Sequence, residues 1–275
     1  MSKHEYALKE VLLTIKDVWV EYGPAVILRD VNATVRNIVR PGMNQGQVVG
    51  FLGPSGIGKT QLLRVLAGLQ EPSKGQVLVG VEQQPVVRGL IGVVAQSYPL
   101  FEHRTVLGNL VLAGKNTGLS SSEATDRAMS YLKRFQLEEQ TRHYPRQLSG
   151  GQRQRVSIAQ QLICSDHFLL MDEPFSGLDP IMVDNVSRLI TEVAALDELC
   201  TIVVVTHDIA AAVSVSDTLW LMGRDRDIQG KPVPGARIQE HYDLIERDLA
   251  WQPDLTLTKP FSDCVREVRA RFATL

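Results

Sequence analysis

Apolar and polar positions along the chain follow two periodicities that succeed one another. Leu12–Glu21 and Val26–Val35 alternate between apolar and polar residues and are rich in β-branched side chains, which predicts two strands. Gly46–Leu52 is a short, largely apolar run followed by glycine, as expected of a buried parallel strand. Lys59–Gly68 then has apolar residues at helical spacing and ends in glycine, which predicts a helix.

The middle of the chain has a helical character. Three segments show helical spacing: Thr105–Ala113, Ser121–Phe135 and Ser149–Ile163. Ser120 and Glu123 form a capping-box pattern at the start of the second of these segments. We therefore expect a helical subdomain, inserted at about 97–163, between two β-rich parts of the chain.

Strands and helices alternate around this insert. Further strands are predicted at Gln76–Gly80, Leu90–Ala95, Phe168–Met171, Thr201–Val205 and Thr218–Leu221, and further helices at Ile181–Leu196 and Asp208–Val213. This order predicts an α/β fold with a mostly parallel sheet, and an antiparallel β part near the N-terminus.

The C-terminal part has a different pattern. Arg224–Gly235 is polar and contains two prolines, which predicts a linker. Apolar residues then recur at spacings of four and three, as on one face of a helix: Phe261, Val265, Val268, Phe272 and Leu275. We favour packing of this helix on its own domain over a role in dimerisation or regulation. The predicted organisation is one domain over 1–224, followed by a linker and helical tail over 225–275.

Composition excludes several classes of protein. The net charge is −2, so a broad positive surface for nucleic acid is not expected. Apolar runs are strand-sized and fall short of the ~18 residues that suggest a membrane span. The three cysteines lie far apart and form no CxxC pair, which argues against disulfides and zinc and favours a reducing cytosol.

A phosphate-binding pattern lies between the predicted strand Gly46–Leu52 and the helix after it. Eight residues match the P-loop pattern GxxxxGK[ST]: Gly53, Pro54, Ser55, Gly56, Ile57, Gly58, Lys59 and Thr60. Glycines let backbone N–H groups converge on phosphate oxygens, and the helix N-terminus adds partial positive charge. Lys59 is expected to reach the terminal phosphates, and the Thr60 hydroxyl to bind Mg²⁺.

Two adjacent carboxylates, Asp172 and Glu173, end the apolar strand Phe168–Met171. Neighbouring strand residues point in opposite directions, so the two side chains are expected to differ in role. We assign Asp172 to the Mg²⁺ shell and Glu173 to the activation of a water for in-line attack.

A second glycine-rich helix start lies at Ser149, Gly150, Gly151 and Gln152. The chain thus has two phosphate-binding helix ends but one lysine-bearing loop. Two chains arranged head to tail resolve this, because each nucleotide then lies between the lysine loop of one chain and the second cradle of the other.

At this point the sequence resembles a known family. The run LSGGQRQRV, from Leu148 to Val156, resembles the signature of ATP-binding cassette (ABC) proteins, and other family elements follow in the expected order over about Leu12–Met222. Tyr22 is similar to the aromatic residue that stacks on adenine, with Trp19 as the weaker candidate. Gln96 is similar to the Q-loop glutamine. Ser176–Asp179 resembles the D-loop, with Asp179 facing the other subunit, and His207 resembles the switch histidine.

The resemblance implies a P-loop NTPase (RecA-like) fold and hydrolysis of ATP with Mg²⁺. It implies catalytic roles for Glu173, His207 and Gln96, and places Thr60, Gln96 and Asp172 around the metal. It further implies a homodimer, or a dimer with a related subunit, and an integral membrane permease. A solute-binding protein and a place on the cytoplasmic face of the inner membrane are also expected. Importers of small polar solutes are the favoured subclass.

Three departures from the family pattern stand out. Gln61 replaces a Ser or Thr that contacts the α-phosphate, so that contact is open. Gln160-Gln161 replaces an Arg-Ala pair. Arg36–Gln45 is predicted to lengthen a surface loop.

The segment Ser97–Arg104 follows Gln96, and similar segments contact a permease helix. Tyr98, Leu100 and Phe101 fit either a docking surface or the protein core.

Two other functions remain as alternatives. A soluble ABC ATPase of translation or DNA repair is disfavoured, because the chain has one cassette and no long coiled coil. A small NTPase or kinase that shares only the P-loop is disfavoured by the signature and by His207.

Overall fold

The computed structural model describes residues 5–42, 45–165, 168–197, 199–252, 254–272 and 274–275. They form two sheets with helices packed around them. Within these ranges, no helix combines the length and apolar character needed to cross a bilayer.

The larger sheet has six strands in the order β10-β9-β3-β8-β7-β6. Their bounds are β3 Gln47–Leu52, β6 Gly92–Val94, β7 Phe168–Asp172, β8 Thr201–Thr206, β9 Thr218–Gly223 and β10 Arg237–Asp243. All neighbours pair in parallel except β9 and β10, which are antiparallel. β3 and β8 are buried at every position, which explains why their sequences are apolar except at the strand ends and do not alternate.

The smaller sheet is antiparallel and has the order β2-β1-β4-β5. Its strands are β1 Ala7–Tyr22, β2 Ala25–Val39, β4 Lys74–Val79 and β5 Gln84–Pro85. The buried side chains of this sheet share one core with the helix α1, Lys59–Leu66, and with one face of the larger sheet. The predicted α/β architecture with an antiparallel N-terminal part is therefore confirmed.

The helical insert contains α2 Val106–Asn116, α3 Ser121–Arg134 and α4 Gly150–Cys164. The predicted capping box of α3 is present, with Glu123 N donating to Ser120 Oγ and Ser120 N donating to the Glu123 carboxylate. Buried residues of the insert, among them Leu110, Leu132 and Val156, share a second core with the other face of the larger sheet. The helix α5, Pro180–Ala194, packs against this same face.

The C-terminal part differs from the predicted linker and tail. The strand β10, which the sequence analysis missed, extends the larger sheet, and Ala236 bonds to the backbone of β2 through Ile27 and Arg29. The predicted helix is α7, Lys259–Phe272, and it packs on its own domain against β9 and the helix α6, Ile209–Val215. Polar residues of β10 at an edge strand obscured its pattern.

The segment before β3 is also not the predicted surface loop. Arg36–Val39 completes β2, and Arg40 is 6% exposed. Met43 and Asn44 lie outside the described residues. The Arg40 guanidinium stacks on the Trp251 ring, and its Nη2 lies 3.6 Å from Asp217 Oδ1. No sequence pattern signals this contact, because its three partners lie far apart along the chain.

Asp217 is the centre of this cluster. Its carboxylate accepts hydrogen bonds from Val48 N, in β3, and from Trp251 Nε1. Burial raises the pKa of Asp217 to about 6 and lowers the pKa of Arg40 to about 10, although each charge partly offsets the effect on the other. The cluster therefore ties the C-terminal part to the start of the P-loop strand.

Replacing Arg40 with methionine is expected to lower the free energy of unfolding by about 3 kcal/mol or more, because Asp217 keeps a buried charge without its partner. Without Arg40, the folded-state pKa of Asp217 rises further above its unfolded value. The loss should therefore shrink as the pH falls from about 8 to about 5, where Asp217 binds a proton in the folded state. Urea unfolding at several pH values measures this.

The matched control is Arg36→Met, on the strand β2 that directly precedes Arg40, where the guanidinium is exposed and donates to Lys9 O. It should change stability by less than about 0.5 kcal/mol. Equal losses for the two variants, or a loss for Arg40→Met that grows at low pH, would contradict this account of the cluster.

Candidate active site

Three parallel strands end side by side at one edge of the larger sheet. Leu52 at the end of β3 pairs with Thr206 at the end of β8, and Asp172 at the end of β7 pairs with Val205. The loops that follow these strands are therefore neighbours in space. They contain the P-loop, Glu173 and His207, which were predicted separately from the sequence.

The P-loop turns from β3 into α1 through two glycines in the left-handed region, Gly56 at φ 75° and Gly58 at φ 114°. A side chain at Gly58 would be strained and would meet Leu28 and Ile27 of β2, so the turn requires glycine there. No atom lies within 4 Å of a Cβ built on Gly56, which leaves open space beside its backbone. This is the geometry of an anion cradle at a helix N-terminus.

Lys59 lies in the cradle, with 8% of its surface exposed. Its Nζ donates to the carbonyl oxygens of Gly53, at 2.6 Å, and Pro54, at 3.3 Å, and lies 3.8 Å from Glu173 Oε1. Burial lowers the pKa of Lys59, and the charges of Glu173 and Asp172 oppose that shift. The ammonium is thus held at the cradle between carbonyls and carboxylates.

Glu173 follows β7 with φ 49°, a left-handed conformation that is uncommon for a residue with a side chain. Its Oε2 accepts from Thr206 Oγ1 at 3.2 Å and from His207 N at 3.4 Å, and lies 2.8 Å from His207 Nδ1. The carboxylate is therefore oriented by three groups at the end of β8. Such fixed orientation is what a general base needs.

Asp172 has a different environment from its neighbour. Burial raises its pKa, the charge of Glu173 adds to this effect, and Lys59 opposes it. A cation beside Asp172 would offset the cost of burying its charge. The two adjacent carboxylates thus differ in surroundings, and the difference in role that the sequence predicts stays a prediction.

These groups open onto a cleft of about 480 Å³. It is lined by Tyr22, Ile27, Ser55, Gly56, Gly58, Lys59, Thr60, Gln61, Gln96, Asp172 and Glu173. A slightly larger cleft, of about 540 Å³, lies near the end of α4 but is lined mainly by apolar side chains and glycines. The cleft at the P-loop is the one with the chemistry of a nucleotide site.

The structure separates the two candidates for base stacking. Tyr22 lines the cleft and has 51% of its surface exposed, so its ring is available to a ligand. Trp19 is half-buried, and Lys74 Nζ lies 4.7 Å from the centre of its ring. Tyr22 therefore remains the residue placed to stack on a base.

Other predicted site residues lie outside this cleft within one chain. Ser149 and Gln152 form a capping box at the start of α4, and no atom lies within 4 Å of a Cβ built on Gly150 or Gly151. Asp179 caps α5 by accepting from Met182 N at 3.0 Å. The α4 cradle is thus formed and open but is not joined to the P-loop of its own chain.

In the Gln160-Gln161 departure from the family pattern, the structure shows what the second glutamine does. Gln161 Oε1 accepts from Val93 N, in β6, at 3.1 Å, so the side chain ties α4 to the edge of the sheet. Gln160 is buried.

Thr206, Ile27 and Gln70 are site residues that the sequence analysis missed. Thr206 donates to Glu173, Ile27 lines the cleft, and Gln70 contacts the Tyr22 hydroxyl at 3.1 Å. Thr206 directly precedes His207 at a predicted strand end, which is a usable signal. Ile27 and Gln70 carry none, because only the tertiary fold brings them to the cleft.

The cleft also fits the expected metal. The hydroxyl of Thr60, the amide of Gln96 and the carboxylate of Asp172 share it, and all three offer the oxygen ligands that Mg²⁺ prefers. In the described part of the chain, no three His, Cys, Asp or Glu side chains form a metal cluster.

Comparisons with known proteins agree on a family. A family model described as ABC transporter matches residues 37–176. An Fe(3+) ions import ATP-binding protein, FbpC, of Brucella abortus (strain 2308) is 36% identical over 239 residues, which are 82% of this chain and 65% of that relative. A glutamine transport ATP-binding protein, GlnQ, of Geobacillus stearothermophilus is 36% identical over 219 residues, with 77% of this chain and 86% of the relative covered.

One solved structure has the same fold. CbiO1 from Clostridium perfringens, part of the ABC transporter complex CbiONQ, matches with a TM-score of 0.72 at 24% identity, over 96% of this chain and 97% of that one. The match covers 65% of the length of the iron-import relative, so this chain spans only part of that protein.

Replacing Lys59 with alanine is expected to weaken ATP binding about 10- to 100-fold, because the cradle loses its one charged donor to the terminal phosphates. Equilibrium dialysis with labelled ATP measures this. The matched control is Lys74→Ala, an exposed lysine paired with Glu21 outside the cleft. Retention of full affinity in Lys59→Ala would contradict the assignment of this cleft.

Proposed function

The chain belongs to the ABC transporter family, and we propose that it is the ATP-hydrolysing subunit of a transporter that imports a small polar solute through a separate permease. The observation that carries this proposal is the convergence of Lys59, Thr60, Asp172 and Glu173 on one cleft. His207 contacts Glu173 at its edge. Together they supply a phosphate cradle, oxygen ligands for a metal and an oriented base.

In this proposal the residues of the cradle bind the triphosphate. Backbone N–H groups of the P-loop and Lys59 Nζ hold the phosphates, and the Tyr22 ring stacks on the adenine. Bound Mg²⁺ would be held by Thr60, Asp172 and Gln96 and would supply charge neutralisation between the phosphates. Binding requires Lys59 Nζ to exchange its carbonyl partners for phosphate oxygens.

Hydrolysis is assigned to Glu173 and its neighbours. The carboxylate accepts a proton from the attacking water, while Thr206 and His207 fix its orientation. His207 is 53% exposed at its side chain, so it can also contact the γ-phosphate or a second subunit. Attack in line with the leaving oxygen yields ADP and phosphate.

A dimer completes the site in this proposal. The α4 cradle of Ser149, Gly150 and Gly151 is preformed and open, yet it is not part of the cleft of its own chain. A second copy, or a related ABC subunit, related by a two-fold axis can bring this cradle to the γ-phosphate. ATP then joins two chains, and hydrolysis removes the link and reopens them.

A rigid loop after Gln96 provides the surface for a permease. Phe101 is 47% exposed, whereas Tyr98 and Leu100 are partly buried against the core of the insert. The loop is fixed by Asn109, which is fully buried. Its Oδ1 accepts from Phe101 N at 2.7 Å, and the two hydrogens of its Nδ2 are shared among three backbone carbonyls within 3.3 Å. Phe101 is therefore the exposed apolar anchor of the predicted segment.

The same loop contacts the helix that starts at the second cradle. Arg153, in the first turn of α4, donates to Tyr98 O at 3.3 Å and forms an ion pair with Glu102. A movement of the α4 cradle on nucleotide binding would thus be transmitted to the segment Ser97–Arg104, the docking loop. This gives a physical connection from the nucleotide to a permease.

The solute is not encoded in this chain. Relatives named for iron(III), glutamine and sulfate or thiosulfate all have 35–36% sequence identity to it. All three names refer to transport of small polar or charged solutes, and two of them to import, which supports that class here. In this proposal the chain lies on the cytoplasmic face of the inner membrane, in a complex with a permease and a solute-binding protein, and it does not bind nucleic acid.

Replacing Glu173 with glutamine is expected to lower ATP turnover about 10²- to 10⁴-fold while ATP binding is retained, because the base is lost and the shape is kept. The variant should hold the assembled state with ATP bound. A pull-down from detergent-solubilised membranes with this variant should recover an integral membrane protein in the presence of ATP.

Recovery of only soluble factors, such as ribosomes or repair proteins, would refute the transport role and leave the ATPase assignment in place. Absence of Mg-ATP turnover by the unmodified chain, both alone and with its recovered partner, would refute the ATPase itself. Lys59→Ala is the control for ATP dependence of the pull-down.

Replacing Phe101 with serine is expected to keep ATP binding and to reduce transport at least about tenfold in vesicles that contain the permease, because it removes a central apolar anchor. Leu257→Ser is the matched control, since Leu257 is 85% exposed in the C-terminal part. Unchanged transport in Phe101→Ser would exclude this loop as the docking surface.

A further inference from the structure

The tyrosine at the mouth of the cleft is held by two glutamines. The Tyr22 hydroxyl lies 2.9 Å from Gln61 Oε1 and 3.1 Å from Gln70 Oε1, so it can donate to either amide oxygen. Tyr22 ends β1, Gln61 lies in the first turn of α1, and Gln70 lies just beyond that helix. Two parts of the chain, the hairpin and the P-loop helix, thus meet at this hydroxyl.

Gln61 occupies the position at which the family has a Ser or Thr that contacts the α-phosphate. A hydroxyl there is short and stays near the cradle. The glutamine side chain instead extends to Tyr22, which lines the same cleft. Its amide is engaged with the ring that faces the base rather than with the phosphate cradle.

The two glutamines act on the hydroxyl as a pair. A tyrosine hydroxyl has a single hydrogen, so it donates to one amide oxygen at a time. Loss of either glutamine leaves the other as a partner, whereas loss of both frees the ring. The pair therefore behaves as one clamp with two interchangeable acceptors.

We propose that Gln61 and Gln70 are positioning residues that orient the Tyr22 ring for stacking on the nucleotide base, and that Gln61 is not a phosphate ligand. This inference rests on the proposal that ATP occupies the cleft. The base-dependent part of ATP affinity then depends on a hydrogen bond that no nucleotide atom makes.

The physical effect is preorganisation. An aromatic side chain that is half exposed at the end of a hairpin samples several orientations, and binding must select one of them. A hydroxyl bonded to the P-loop helix restricts the ring before the nucleotide arrives. The clamp also couples the hairpin between β1 and β2 to the same helix that starts at the phosphates.

The test compares ATP with inorganic tripolyphosphate, which has three phosphates and no base, in competition binding with a fluorescent ATP analogue. The double variant Gln61→Ala/Gln70→Ala should weaken ATP binding about 3- to 10-fold, the effect of one net hydrogen bond, and leave tripolyphosphate within about twofold. Tyr22→Phe, which keeps the ring and removes the hydroxyl, should show the same loss. Adding both glutamine substitutions to Tyr22→Phe should cause no further loss.

Three outcomes would overturn the inference: a parallel loss of tripolyphosphate binding, a further loss in the Tyr22→Phe background, or undiminished ATP affinity in the double variant. Gln84→Ala, a glutamine that donates to Glu82 outside the cleft, is the matched control. Failure of the unmodified chain to bind ATP would instead refute the proposed function and is read separately.

Discussion

The parallel register of β3, β8 and β7 is the constraint on which the rest of the site depends. Because these strands end at one edge, the P-loop, Glu173 and His207 meet although they are far apart in sequence. Lys59 Nζ lies 3.8 Å from Glu173 Oε1, and Glu173 Oε2 lies 2.8 Å from His207 Nδ1, so the carboxylate of Glu173 joins the lysine to the histidine. The same arrangement can exchange those partners for phosphate and metal, so the electrostatics of the fold and of the function have one origin.

Local patterns predicted the parts of the site that are local in sequence. The P-loop requires glycines at fixed spacing before a helix. A strand that ends in carboxylates can be recognised as an apolar run followed by acidic residues. Tertiary contacts were not predictable: the contacts of Arg40 with Asp217 and Trp251, and of Gln70 with Tyr22, depend on segments far apart in the chain. The strand β10 was missed because a polar edge strand has no apolar alternation.

Two departures from the family pattern become contacts in the structure. Gln61 bonds to Tyr22, and the segment before β3 supplies Arg40 to a buried cluster with the C-terminal part. Gln61 links Tyr22, at the end of β1, to the helix α1. Arg40 links the C-terminal part, through Asp217, to the strand β3. The chain thus keeps the chemistry of the cleft and changes its supports, which is where a family can vary without loss of a reacting group.

The claim that two chains complete each site is tested most directly by cross-linking. Chains with Ser55→Cys and chains with Ser149→Cys, both with Glu173→Gln, are mixed with and without ATP under mild oxidation. The account predicts a disulfide-linked species of twice the chain mass that needs both variants and ATP, because Ser55 of one chain faces Ser149 of the other. The head-to-tail dimer would be contradicted if either variant alone gave as much of the disulfide-linked species as the mixture. It would also be contradicted if the mixture gave none of this species with ATP.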